Sequence, residues 1–164
     1  MNQFSSICSS CGGAFKTCDG PIYDYMTSSP GCWAAYGEVL AREYENPALF
    51  AAVHRQTVDA YALQHPGDLS DRRAAQSVWV HYVAMFLTLD KKWTADKIIP
   101  IMKGLVKEPI PVISQRQKVE GLTHAHVLEG GIEQHEERVK AWAEVAYKEW
   151  EALKPQVISV FQKF

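Results

Sequence analysis

The stretch IEQHEERVKAWAEVAYKEWEAL, residues Ile132 to Leu153, decides the fold class. Its apolar members Ile132, Val139, Trp142, Ala143, Ala146 and Trp150 recur at helical spacing and form one stripe. Glu136, Lys140, Glu144, Lys148 and Glu151 occupy the other face, and Pro155 is expected to end or bend the helix. A helix with one apolar stripe does not hold itself together in water, because nucleation is costly and the stripe must be covered. Other helices must therefore pack against it, and a mainly α bundle is the natural architecture.

Working outward, the sequence supplies those partners, giving a body of four to five helices over residues 32–154. Trp33, Tyr36, Val39 and Leu40 repeat at helical spacing between Cys32 and Tyr44, and Asn46-Pro47 stops that helix and starts the next. The second helix runs from Ala48 to Gln64 and meets a strong terminator in His65-Pro66-Gly67. A third begins after Ser70 as its cap and continues through Trp79, Val83 and Phe86 to Leu89. A shorter fourth spans Thr94 to Lys103. Between Lys107 and Val127, Pro109 and Pro111 flank Ile110, Val112 and Ile113, which predicts an extended crossing segment with room for one short strand. Residues 155–164 read as a tail to what is otherwise one domain of 164 residues.

Composition sets the outer limits. Hydrophobic residues make up 47% of the chain, enough for a real core, and five tryptophans, seven tyrosines and six phenylalanines supply its bulk. A net charge of -2 argues against general phosphate attraction, so nucleic acid is not an expected partner. The basic side chains Lys91, Lys92, Lys97, Lys103, Lys107, Arg116 and Lys118 read as an ordinary solvated surface. The first residues, Met1-Asn-Gln-Phe-Ser-Ser, lack a basic leader followed by an apolar run. The longest apolar stretch, Val78 to Leu89, is far short of a bilayer span and is interrupted by His81. The expectation is a soluble, cytoplasmic protein, where cysteines serve more naturally as metal ligands or free thiols than as disulfides.

Four cysteines crowd the loop-rich head formed by residues 1–31 and the first helix: Cys8, Cys11, Cys18 and Cys32. Cys8-Ser-Ser-Cys11-Gly12-Gly13 has the shape of a zinc knuckle, in which two thiolates three residues apart grip one soft ion and the glycines let the backbone turn. Cys32 at a helix start adds a third thiolate in a favourable field. For the fourth position Cys18 is closest in sequence, while His54 or His65 can reach in from the second helix. His54, Val58, Tyr61 and His65 share one helical face, but the two histidines are separated by about 16 Å of rise, so at most one joins the cysteines. Arg55 and Asp59 read as an ion pair, and His81 as a histidine at the edge of the core bonded to a neighbour. His124 and His126 share a face only if that segment is extended, and His135 opens the last helix's apolar side.

The residues Cys8-x-x-Cys11-Gly12, Asp19-Gly20-Pro21, Ser29-Pro30-Gly31-Cys32-Trp33, His54-Arg55 and the block Val58-Asp59-Ala60-Tyr61-Ala62-Leu63-Gln64-His65-Pro66-Gly67 carry a resemblance. With Trp142 and Trp150 more loosely included, the chain resembles an uncharacterised bacterial family, a domain of unknown function, over most of its length. That family's pattern centres on the positions of Cys8, Cys11, Cys32, His54, Asp59 and His65, and leaves Cys18 out. The resemblance therefore implies a zinc site of Cys8, Cys11, Cys32 and His54, with His65 next in line. Ile22-Tyr23-Asp24-Tyr25 departs from a more histidine-like version of that stretch, which weakens its claim on metal.

Three functions fit these residues. The first is a zinc-binding structural or interaction module, with an unidentified protein or small-molecule partner and as either monomer or homodimer. The second is a zinc-dependent, hydrolase-like enzyme that leaves a coordination position open, with Asp59 or His65 beside a bound water. The third is a regulatory bundle that holds a small molecule among Trp33, Tyr61, Trp79 and Tyr82.

Overall fold

Asn46 and Pro47 do what their chemistry demands. The Asn46 side chain accepts a hydrogen bond from the Leu49 amide, and Pro47 occupies the first turn, where no N–H is needed. The helix they open, α2 (Pro47–Gln64), is the central element of the computed structural model, which describes residues 5–162. It packs against α1 (Pro30–Tyr44), α3 (Arg72–Leu89) and α6 (Ile132–Lys148). Because neighbours cover it on several sides, its second half is buried all round, from Asp59 through Gln64. Around these four long helices lie the shorter α4 (Ala95–Leu105), α5 (His124–Leu128) and α7 (Lys154–Phe161). The architecture is a small helical bundle, with more helices than the four to five expected because α5 and α7 are short. No helix of the described residues is long and apolar enough to cross a membrane. The reading of the first residues as free of a leader falls largely on positions 1–4, outside the described residues.

The last stripe buries as predicted, apart from Ile132, which is exposed; Trp142 and Trp150 are among the largest fully buried side chains. Their indole N–H groups both reach α2: Trp142 donates to the Gln64 side-chain oxygen at 2.8 Å, and Trp150 to the Leu63 carbonyl at 2.8 Å. Buried indoles need such partners. The helix does not run to Leu153, however. Trp150 leaves the helical region, a short 3-10 turn follows at Glu151–Leu153, and Pro155 opens α7 instead of ending α6. A proline in a first turn is pre-organised for helix, which is why it starts one here.

One local expectation is corrected. Asp71, not Ser70, caps α3, accepting from the Arg73 and Ala74 amides, while Ser70 bonds back to Asp68. Between Lys107 and Val127 the expected crossing segment is found, and among the described residues it does not use its room for a short strand. That segment is an irregular strap that finally turns into α5. Its bonds come instead from Arg116 to the Gln64 carbonyl at 2.7 Å and from the Gln117 amide to the Glu149 carbonyl at 2.9 Å. Strand pairing occurs in the head, where β1 (Ser5–Ile7) and β2 (Ala14–Lys16) form an antiparallel hairpin with Ser6 opposite Phe15.

The hairpin lies against the start of α1. Gly31 makes this approach possible, since a Cβ there would collide with the Lys16 carbonyl and stand 3.4 Å from Phe15. A single bridge between Met26 and Pro66 fastens the rest of the head to the end of α2.

Truncating Trp142 removes a fully buried ring and leaves Gln64 without a donor. Trp142→Ala is expected to cost about 3–5 kcal/mol in chemical denaturation, with an unchanged denaturant slope.

Candidate metal centre

Cys8 and Cys11 sit in the turn between β1 and β2. The Cys8 amide donates to the Gly13 carbonyl at 2.9 Å, and the Gly12 amide donates to the Cys8 carbonyl at 2.8 Å. Gly12 takes a left-handed φ of 78°, which lets the loop fold back over its own sulfurs, and the Gly13 amide approaches Cys11 Sγ at 3.4 Å. Cys32 is placed by α1, whose first turn is fixed by Pro30 and by Ser29, the acceptor for the Cys32 amide at 3.3 Å. His65 is the residue at which α2 stops.

These four meet. One donor atom from each of Cys8, Cys11, Cys32 and His65 lies within 4.8 Å of all the others. Cys8, Cys32 and His65 are fully buried, and Cys11 is partly so. A tetrahedral ion with metal–sulfur bonds of about 2.3 Å separates its sulfurs by about 3.8 Å, so a spread below 4.8 Å is that of a ligand set. The histidine is also presented correctly. Its Nδ1–H donates to the Tyr61 carbonyl at 2.8 Å, which leaves Nε2 as the free nitrogen, 3.1 Å from Cys32 Sγ. No second group of three or more cysteine, histidine or acidic side chains converges this closely among the described residues.

The electrostatics agree with a place prepared for a cation. Hydrogen bonds from the Cys11 and Cys32 thiols hold the Cys8 thiol far below its ordinary value. Hydrogen bonds to the Cys32 and Cys8 sulfurs, and then burial, push the Cys11 thiol far up. Burial works against a charged His65, but hydrogen bonds to the Cys32 and Cys8 sulfurs prevail and push it up to about 9. His124 behaves in the opposite way: burial, then the nearby His65, bring it down to about 3. It is therefore neutral at pH 7, with Nε2–H donating to the Cys32 carbonyl at 3.0 Å and a buried Nδ1 that has no partner. The phenol of Tyr61, 3.6 Å from Cys32 Sγ and 2.8 Å from Ser28 Oγ, completes the surroundings.

Of the ligands singled out in the sequence, Cys8, Cys11 and Cys32 converge and His54 does not. His54 lies three turns earlier on α2, where its Nδ1–H donates to the Glu43 carboxylate at 2.7 Å. His135 donates to the same carboxylate at 3.1 Å, and Thr57 does so as well. His65 takes the place expected of His54, because the head docks on the C-terminal end of α2. Cys18 is exposed and outside the group. Asp59 does not face the sulfurs either; it is buried between Arg55, at 2.7 Å, and His81 Nδ1, at 2.7 Å. His124 and His126 belong to a helix and so do not share a face. Trp33, Tyr61, Trp79 and Tyr82 are spread over separate packing sites: Trp33 packs edge-on against Tyr61, and Tyr82 stacks on Tyr147. Trp79 floors an apolar groove of about 760 Å³ beside Trp93, whereas Tyr61 and Tyr82 are core residues. Sequence reasoning gave no role to Glu43 and weighed His124 only together with His126 and His135. His124 stands in the segment that is hardest to read, and Glu43 reads as one more acid on a helix.

A helical bundle with a Cys3His group at the foot of its central helix is the class that fold and site define. Comparison with known families then places the chain: it belongs to DUF5946, a family of unknown function, with the match spanning residues 6–151. No curated protein and no solved structure matches it.

The buried Glu43 makes a pH prediction possible. Burial favours its neutral form, but hydrogen bonds from His135, His54 and Thr57 win and hold the carboxyl below its ordinary value of 4.5. A depressed carboxyl contributes stability that is complete above the unfolded value and is lost as pH falls through the folded one. Unfolding free energy should thus decline as the pH drops below about 4.5, and Glu43→Gln should flatten that acid limb while lowering stability at pH 7 by about 1–3 kcal/mol.

Proposed function

We propose that Cys8, Cys11, Cys32 and His65 bind one zinc ion and that the ion is structural. The observation that carries this reading is the convergence of three sulfurs and one pre-oriented imidazole nitrogen within 4.8 Å. Thiolate and imidazole donors in a tetrahedral set suit zinc, and Cys3His is a recurrent structural combination. Four protein donors fill that coordination and leave no position for water. None of the four lines the cavities beside Trp93, His54, His81 or Cys18.

The ion would join the knuckle, the start of α1 and the end of α2, reinforcing a corner that the Ser10–Gln64 bond and the Met26–Pro66 bridge already bring together. Folding of the head and metal binding are then one equilibrium, and removing the ion releases the hairpin from the bundle. The chain acts as a zinc-stabilised module that presents a fixed head to a partner. A hydrolase-like reading has less support, because Asp59 is engaged by Arg55 and His81 and no open position accompanies His65.

Elemental analysis of protein purified without a metal-affinity tag should return one zinc per chain. Zinc-edge X-ray absorption should fit three sulfurs and one nitrogen. His54→Ala should keep the full stoichiometry, whereas His65→Ala should lose zinc to a mild chelator and show a lowered melting temperature. An oxygen donor in the wild-type spectrum, or zinc loss in His54→Ala instead, would overturn the assignment.

A further inference from the structure

Of the three fully buried tryptophans, Trp142 and Trp150 donate their indole N–H groups to α2. The third, Trp79 on α3, has no acceptor for its N–H among the described residues. Trp79 is only 1% exposed and floors the apolar groove, so the little of it that stays open lies there. A buried indole without a partner forfeits a hydrogen bond that the unfolded chain makes with water. An acceptor for this one has to come in through the groove.

Four parts of the chain build the groove. Helix α3 gives Trp79, α4 gives Ile101 and Leu105, the strap gives Ile110, and α7 gives Val160 and Phe161. Its volume of about 760 Å³ is within the range of small-molecule sites, which in bundles lie between helices. Pro109 and Pro111 on the strap have no N–H, so neither brings a donor to it. No lysine, arginine or histidine lines the groove, and its one acid is Glu108. An anionic head would meet no cation there and one like charge. Trp93, 39% exposed, stands at the outer edge, whereas Trp79 is almost wholly covered. A partner for the Trp79 N–H must therefore enter the groove and not merely lie across it. Apolar walls around one deep donor suit a small molecule with an acceptor on an apolar body.

We infer that this groove binds an uncharged, mainly apolar small molecule whose acceptor, a carbonyl or ether oxygen, takes the Trp79 N–H while its body lies against Ile101, Leu105 and Phe161. None of the proposed zinc donors lines the groove, so the site is separate from the metal centre. Gly104, exposed on α4, lines it as well, and a Cβ there would meet nothing within 4 Å. A longer side chain at that position has room to occupy the groove without disturbing the bundle.

The test uses the full chain, with 15N labelling, and three probes on a common frame. Benzophenone carries a carbonyl, diphenylmethane lacks it, and 4-benzoylbenzoate adds a negative charge. Each is titrated while the indole N–H signals are followed by NMR. Benzophenone is expected to saturate and to move the Trp79 signal, while those of Trp142 and Trp150 stay in place. Diphenylmethane should bind about three- to tenfold more weakly, the worth of one hydrogen bond. The charged probe should also bind more weakly than benzophenone. Gly104→Leu should weaken benzophenone at least about tenfold with no loss of stability, because leucine is a better helix former than glycine. In Trp79→Phe the advantage of ketone over hydrocarbon should vanish. If that variant fails to fold, Gly104→Leu and the comparison of probes in the parent chain still decide. No saturation with benzophenone, equal binding of the hydrocarbon, tighter binding of the charged probe, or undiminished binding in Gly104→Leu overturns the proposal. So does a Trp79 signal that moves with protein concentration alone, which identifies a second copy as the occupant.

Discussion

The last turn of an α-helix leaves four carbonyl groups without partners, and in this protein that turn is buried. The end of α2 answers the problem residue by residue. The Tyr61 carbonyl accepts from the His65 ring, and the Ala62 carbonyl accepts from the His65 amide at 3.4 Å. The Leu63 carbonyl takes the Trp150 indole, and the Gln64 carbonyl takes Ser10 Oγ at 2.9 Å together with Arg116. Each donor comes from a different part of the chain: the residue that stops the helix, the last helical region, the head and the strap. A buried carbonyl left unpaired costs more than a made bond contributes, so these four groups recruit the rest of the molecule to one corner.

The same bond from His65 to Tyr61 serves another purpose. By occupying Nδ1 it fixes which nitrogen faces the sulfurs, so closing the helix and presenting the imidazole are one event. Elsewhere the bundle handles buried charge in a related way. Glu43 and Asp59 are both fully buried acids, and each is met by histidine nitrogen: Glu43 by His54 and His135, Asp59 by His81 with Arg55. Buried charges that lack such partners are expensive, and partners drawn from α1, α2, α3 and α6 make the packing of those helices mutually dependent.

Much of this was legible in the sequence, for identifiable reasons. The α6 stripe, the Asn46-Pro47 junction and the His65-Pro66-Gly67 stop are local signals that depend only on neighbouring residues. Cys8, Cys11 and Cys32 were likewise readable, because a knuckle and a helix start both mark thiolates. The choice between His54 and His65 was not readable. Both lie on one face of α2, and only the docking of the head at Met26 and Pro66 selects the end of the helix that the sulfurs approach. The hairpin strands are three residues each, too short to show alternation. The strap is held by long-range bonds from Arg116 and Gln117, which no window of local sequence contains.

All four proposed zinc donors precede Pro66, whereas the tryptophans that seal the end of α2 are Trp142 and Trp150. During synthesis the donor set is therefore complete before the segments that carry Trp142 and Trp150 are made. If these donors hold zinc as proposed, the knuckle and the first two helices are cross-linked before the later helices cover that corner. On that proposal, order of emergence makes the ion a template for the bundle as well as a clasp within it.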